Sequence, residues 1–139
     1  MSINDTVIPR STKKPMYILD CNAVHVLSAA LHLPTTGNEQ DWDIEMADPN
    51  RLTEFLAYYE THALSLHEKQ ALMALILASL EDTFPVARGA ITALRAKVVN
   101  AIAGDEHLHQ PVLSYWAYPD GSENTDDGYN ITRLVRQLF

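Results

Sequence analysis

The sequence predicts an all-α protein, and three observations carry the prediction. Apolar residues recur at helical spacing over most of the chain. Two helix starts are explicit: the capping box Ser65-Leu66-His67-Glu68, and Asp48 followed by Pro49. The run Ala71–Leu80 is apolar on nearly every face, which marks a helix buried on all sides. The expected architecture is a compact single domain of five to six helices around that central helix, at about 65–83. A chain of 139 residues is one domain by size. It buries roughly 68–70% of its unfolded surface, enough for a core without disulfides or metals. Residues 16–139 are expected to form the domain and residues 1–15 a flexible N-terminal arm.

The elements follow in chain order. Val24, Leu27, Ala30 and Leu31 share a helical face within 17–33, although Tyr17-Ile18-Leu19 also suits an extended strand. Asp48 as cap and Pro49 at the first helical position open a helix over about 49–62, with Leu52, Phe55, Leu56, Tyr59 and Ala63 as its apolar stripe. The central helix stops at Pro85. Beyond it Ala87, Ile91, Leu94, Val98 and Ile102 line one face, Arg88, Arg95 and Lys97 occupy others, and Gly104 suits a C-terminal cap. Pro111 lacks an amide and its ring crowds the preceding turn, so 105–110 reads as a turn. A helix then starts at Pro111 and carries Leu113, Tyr115 and Trp116, with 112–118 as an extended alternative. Ile131, Leu134, Val135 and Leu138 form the last stripe, with Arg133 and Arg136 directed away from it.

Charge narrows the partners. Eighteen acidic residues against ten basic ones give a net charge of −8, which disfavours a nucleic-acid binder because phosphate must be met by a cationic face. No apolar run approaches the roughly 18 residues of a membrane span. Cys21 is the only cysteine, so no internal disulfide can form and a reducing compartment fits. The first residues hold no apolar stretch of secretory type, and a cytoplasmic protein is expected.

The acids are unevenly placed. Residues 37–48 contain Glu39, Asp41, Asp43, Glu45 and Asp48, and residues 119–130 contain Asp120, Glu123, Asp126 and Asp127. Neither segment has a basic residue, and together they hold nine of the eighteen carboxylates. Polar connections this long are uncommon in small domains unless they have work to do. They read either as solvated, helix-capping turns or as a negative surface that speeds encounter with a basic partner and selects its charge. Trp42 lies within the first cluster, where an aromatic side chain suits an interface anchor.

Catalytic and metal patterns are missing. A calcium loop started at Asp41 meets Met46 at its sixth position and Leu52 at its twelfth; one started at Asp120 meets Thr125 and Ile131. His25 and His32 are about 10 Å apart along a helix, too far to share an ion directly. His107 and His109 fall in the presumed turn and read as surface or capping groups. No nucleophile elbow or phosphate-cradling glycine loop occurs. The Cys21 and His25 pair is within helical reach, but a cysteine in an apolar helix ordinarily packs. Glu81-Asp82 and Asp126-Asp127 are adjacent pairs that diverge on a helix. No metal, cofactor or catalytic residue is expected.

The run Leu66-His67-Glu68-Lys69-Gln70-Ala71-Leu72-Met73-Ala74-Leu75-Ile76-Leu77-Ala78-Ser79-Leu80-Glu81-Asp82, with Leu108-His109, Tyr115-Trp116 and Ile131-Thr132-Arg133-Leu134-Val135-Arg136, resembles small cytosolic immunity proteins of bacterial polymorphic toxin systems. These include the immunity proteins of contact-dependent growth inhibition, and the likeness spans about residues 48–139. The resemblance implies a non-enzymatic inhibitor of a cognate toxin domain, often a nuclease with a basic cleft. Glu39, Asp41, Asp43, Glu45, Asp48, Asp120, Glu123, Asp126 and Asp127 would then supply the field, with Trp42 as the anchor. The alternative is a helical adaptor that binds a peptide or itself through an apolar groove lined by Tyr58, Tyr59, Trp116 and Phe139.

Overall fold

Asp20 starts the first helix by capping it, its Oδ2 accepting from the Ala23 amide at 2.9 Å. Helix α1 then runs Cys21–Ala30. The structure, a computed structural model, describes residues 18–37, 39–83, 88–117 and 131–136, and of residues 88–91 and 133 the backbone alone. Helix α2 is the single turn Trp42–Glu45, and a 3-10 turn at Pro49–Arg51 leads into α3, Leu52–Thr61. Helices α4, Leu66–Glu81, and α5, Arg88–Ala103, are the longest. Helix α6 covers Glu106–Ala117 and α7 covers Thr132–Arg136. The described residues are thus all-helical, as the sequence predicts, and the extended alternatives at Ile18-Leu19 and 112–117 do not form strands. Among the described residues, five of the seven helices run ten residues or longer.

Contacts divide the chain into two compact units, one of which is Leu19–Gln110. Its centre is α4, which packs against α1, α2, α3, α5 and the 3-10 turn. The capping box forms in both directions: Ser65 Oγ accepts from the Glu68 amide at 3.1 Å and Glu68 Oε1 accepts from the Ser65 amide at 3.0 Å. Every residue from Ala71 to Leu80 is buried, because a run of ten turns through every azimuth of the helix and neighbours cover each one. Leu72, Met73, Leu75, Ile76, Leu77 and Leu80 are wholly enclosed, each such burial contributing roughly 1.5–3 kcal/mol. Ser79 is the one polar group in that run, and its Oγ accepts from the Asp48 amide at 3.0 Å.

Helix α3 buries Leu52, Phe55, Leu56 and Tyr59 as their spacing predicts, while Ala63 lies past its end and is exposed. Asp48 caps the segment through Oδ1, which accepts from the Asn50 amide at 3.0 Å. Helix α1 buries Ala23, Leu27 and Ser28, and Leu31 just beyond it, leaving Ala30 exposed and Val24 half-buried. It ends in a Schellman motif: the Leu33 amide donates to the Ser28 carbonyl at 3.0 Å and the His32 amide to Ala29 at 3.3 Å. His32 holds the left-handed position at φ 53°, and Pro34 prevents continuation. Arg51 completes this end. Its Nη2 donates to the Leu31 carbonyl at 2.5 Å, while Nε and Nη2 grip Glu54 at 2.8 and 2.6 Å.

On α5, Val98 and Ile102 are buried and Leu94 is half-buried; the side chains of Ala87 and Ile91 lie outside the described residues. Gly104 follows without left-handed backbone, so the expected glycine cap does not form. The Asp105 amide instead bonds the Ile102 carbonyl at 2.9 Å. A larger correction concerns 105–110: only Asp105 is turn, and 106–110 is already helix. The Asp105 carbonyl accepts the amides of Leu108 and His109 at 3.0 and 3.3 Å, and α6 passes through Pro111. A proline there costs about 3 kcal/mol or more. His109, Val112 and Leu113 around it are buried.

Within the other unit, whose described residues from Pro111 on are 111–117 and 131–136, Leu113, Tyr115, Trp116, Ile131 and Val135 are buried, and Tyr115 and Trp116 meet edge to face at 5.1 Å. Thr132 Oγ1 donates to the Trp116 carbonyl at 2.8 Å, and Arg136 Nε to the Ala117 carbonyl at 2.7 Å. Arg136 therefore folds onto the carboxyl end of α6 and does not point away, because the last carbonyls of a helix attract a cation. Leu138 lies outside the described residues.

Candidate functional site

The acidic segment 37–48 is organised by its own carboxylates. Glu39 accepts from the Thr35 hydroxyl, from the Thr36 amide at 2.7 Å and hydroxyl at 3.1 Å, and from the Gly37 amide at 3.2 Å. These donors, the Thr35 hydroxyl foremost and then the Thr36 amide, hold its carboxyl down at about 2. Gly37 sits at φ 90° with open space where a side chain would stand, so glycine is there for the turn and not for a close approach. One residue group later the pattern repeats. Glu45 Oε2 accepts from the Asp41 amide at 3.2 Å while the Asp41 carbonyl accepts from the Glu45 amide at 2.8 Å. Asp48, as above, caps the 3-10 turn.

Two residues expected at the interface point inward. Trp42 is 4% exposed, and its Nε1–H donates to Ser28 Oγ at 2.9 Å. Ring body and polar tip are thus both satisfied inside the fold, so Trp42 is core and not a surface anchor. Asp43 is also buried and does not reach solvent. Glu39, Asp41, Glu45 and Asp48 do reach the surface, with Glu45 the most exposed of them. Ile44, at 40% exposure, is the apolar side chain this turn offers to solvent. Asp120, Glu123, Asp126 and Asp127 lie outside the described residues.

Candidates for other readings also turn out differently from expectation. Tyr59 and Trp116 are buried, and Tyr58 is half-buried and stacks on His62 at 3.7 Å; Phe139 lies outside the described residues. Cys21 is exposed at the start of α1 and does not pack, and His25 is exposed one turn on. Among the described residues no three His, Cys, Asp or Glu side chains group as metal ligands, and no helix is long and apolar enough to cross a membrane.

The sequence reading missed a second polar cluster, within Leu19–Gln110. Tyr59 of α3 places its hydroxyl 2.8 Å from Asp105 Oδ2 and 2.8 Å from His109 Nε2. Lys69 of α4 reaches Asp105 at 3.2 Å. The proton positions follow from valence. An ionised carboxylate only accepts, so the Tyr59 O–H goes to Asp105. The phenol oxygen then accepts from His109 Nε2–H, which leaves Nδ1 bare. Nδ1 is buried without a hydrogen-bond partner among the described residues. Burial above all, with the Asp105 bond added, raises the Tyr59 hydroxyl far above its usual range. The Tyr59 donor leads in lowering Asp105, with Lys69 behind it. The one available signal was the Asp105 and His109 spacing, which shares a face on a helix but not in a turn.

Comparisons with models of known protein families, with curated proteins and with solved structures find no match to this chain.

Proposed function

We propose that the chain is a non-catalytic binding protein that neutralises a basic protein domain, a nuclease-type toxin, at the acidic surface of residues 37–48. The observation that carries this reading is the fixed presentation of Glu39, Asp41, Glu45 and Asp48 in a segment with no basic residue. A nuclease cleft is positive because it holds phosphate, and a preformed negative surface meets it without an ordering cost. Ile44 supplies the apolar contact that the sequence reading assigned to Trp42. The surface acts on encounter rate and partner choice more than on final affinity.

The test begins with a basic domain encoded beside this chain's gene, purified with its active site disabled. Replacing Glu39 and Glu45 by Gln and Asp41 and Asp48 by Asn should slow association by about tenfold or more at low salt and flatten its salt dependence. Association that is unchanged at both low and high salt removes the acidic surface from the reading.

A further inference from the structure

The Tyr59, Asp105 and His109 cluster is built so that one proton has nowhere to go. Nε2 of His109 already carries a hydrogen, so an added proton must enter at Nδ1, which is buried and faces no acceptor among the described residues. The titratable groups that face the ring are Tyr59 from α3, Lys69 from α4 and Asp105 from the turn before α6. Asp105 attracts a charged ring, but its carboxylate is already shared between the Tyr59 hydroxyl and the Lys69 ammonium. The other polar tie between this segment and α4 is light, Gln70 Nε2 donating to the Leu108 carbonyl at 3.2 Å.

We propose that residues 105–109 form an acid-operated latch: protonation of His109 releases this segment from α3 while the α4 core stays closed. The ring's affinity for protons agrees with the geometry. Burial, with Lys69 assisting and Asp105 opposing, lowers it to about 4 in the closed state. Once released into water the ring returns to its ordinary value near 6.5. The opening equilibrium therefore favours the released form roughly twentyfold more at pH 5 than at pH 7.

Amide exchange on the intact chain tests this, with rates corrected for the intrinsic effect of pH. The amides of residues 105–109 should be less protected than those of Leu72–Leu80 and should lose about twentyfold in protection between pH 7 and pH 5. His109→Gln keeps a donor toward Tyr59 but cannot take up the proton, and should hold protection constant within about twofold over that range. Protection of 105–109 that coincides with that of α4 makes the opening global and refutes the latch. So does an unchanged pH dependence in His109→Gln. A ring titration of His109 by NMR requires no variant, with the ordinary imidazole value near 6.5 as the reference. A His109 midpoint at about 6.5 overturns the proposal.

Discussion

Replacing Tyr59 by Phe removes one oxygen and leaves two groups stranded. The hydroxyl donates to Asp105 and accepts from His109, both at 2.8 Å. Asp105 is half-buried and keeps Lys69 at 3.2 Å, so its loss falls at the low end of a bond to a charged group, about 1.5 kcal/mol. His109 fares worse: its Nε2–H is buried and finds no other acceptor, a penalty of about 1–3 kcal/mol. Together Tyr59→Phe should cost about 3 kcal/mol at pH 7. For a chain of this length that lowers Tm by about 10 °C. Urea denaturation should show a lower midpoint with an unchanged slope, since the surface exposed on unfolding is the same. Combining it with His109→Leu sharpens the test. The stranded donor is then gone, so the double variant should be less destabilised than the sum of the two singles by at least about 1 kcal/mol. A loss under about 1 kcal/mol for Tyr59→Phe, or strict additivity in the cycle, refutes the assigned proton positions.

Two further outcomes are expected. His32→Gly removes a side chain from backbone at φ 53° and should stabilise the protein by about 0.5–1 kcal/mol in the same denaturation assay; a destabilised variant would mean that His32 makes contacts that outweigh its backbone strain. Overall stability should fall with acid. His109 is depressed to about 4 in the fold against about 6.5 unfolded, so its contribution is complete above pH 6.5 and is lost as pH falls from there to 4. The loss is about 3 kcal/mol, and Asp105, also depressed, gives way at lower pH in the same direction. A stability profile that is flat between pH 7 and pH 4.5 would contradict this.

What the sequence revealed was what local chemistry determines. The α4 start was legible because Ser65 and Glu68 satisfy each other across three residues, and its burial because ten apolar residues in a row leave no face for solvent. Helix α6 was not legible at 106–110 because the proline rule is local, whereas the burial of His109, Val112 and Leu113 around Pro111 is set by the tertiary fold. Trp42 was misplaced for a similar reason: its partner Ser28 is fourteen residues away, beyond the reach of composition or period. The polar cluster joins Tyr59 to groups 46 and 50 residues on, and its only local trace depended on assigning the helix correctly. In the acidic segment Glu39, Glu45 and Asp48 make the turn-closing and capping bonds of one reading, and the same side chains carry the charge of the other.

Those backbone bonds have a consequence for how variants of this chain behave. Glu39 and Asp48 close turns, and Glu45 ties back to Asp41, so a lysine at any of the three would damage the backbone before it altered a field. Selection for folding alone would keep acids there, whatever docks on them. Ile44 is the opposite kind of position. Its side chain is 40% exposed, so substitutions at Ile44 test the proposed partner contact with the least interference from folding.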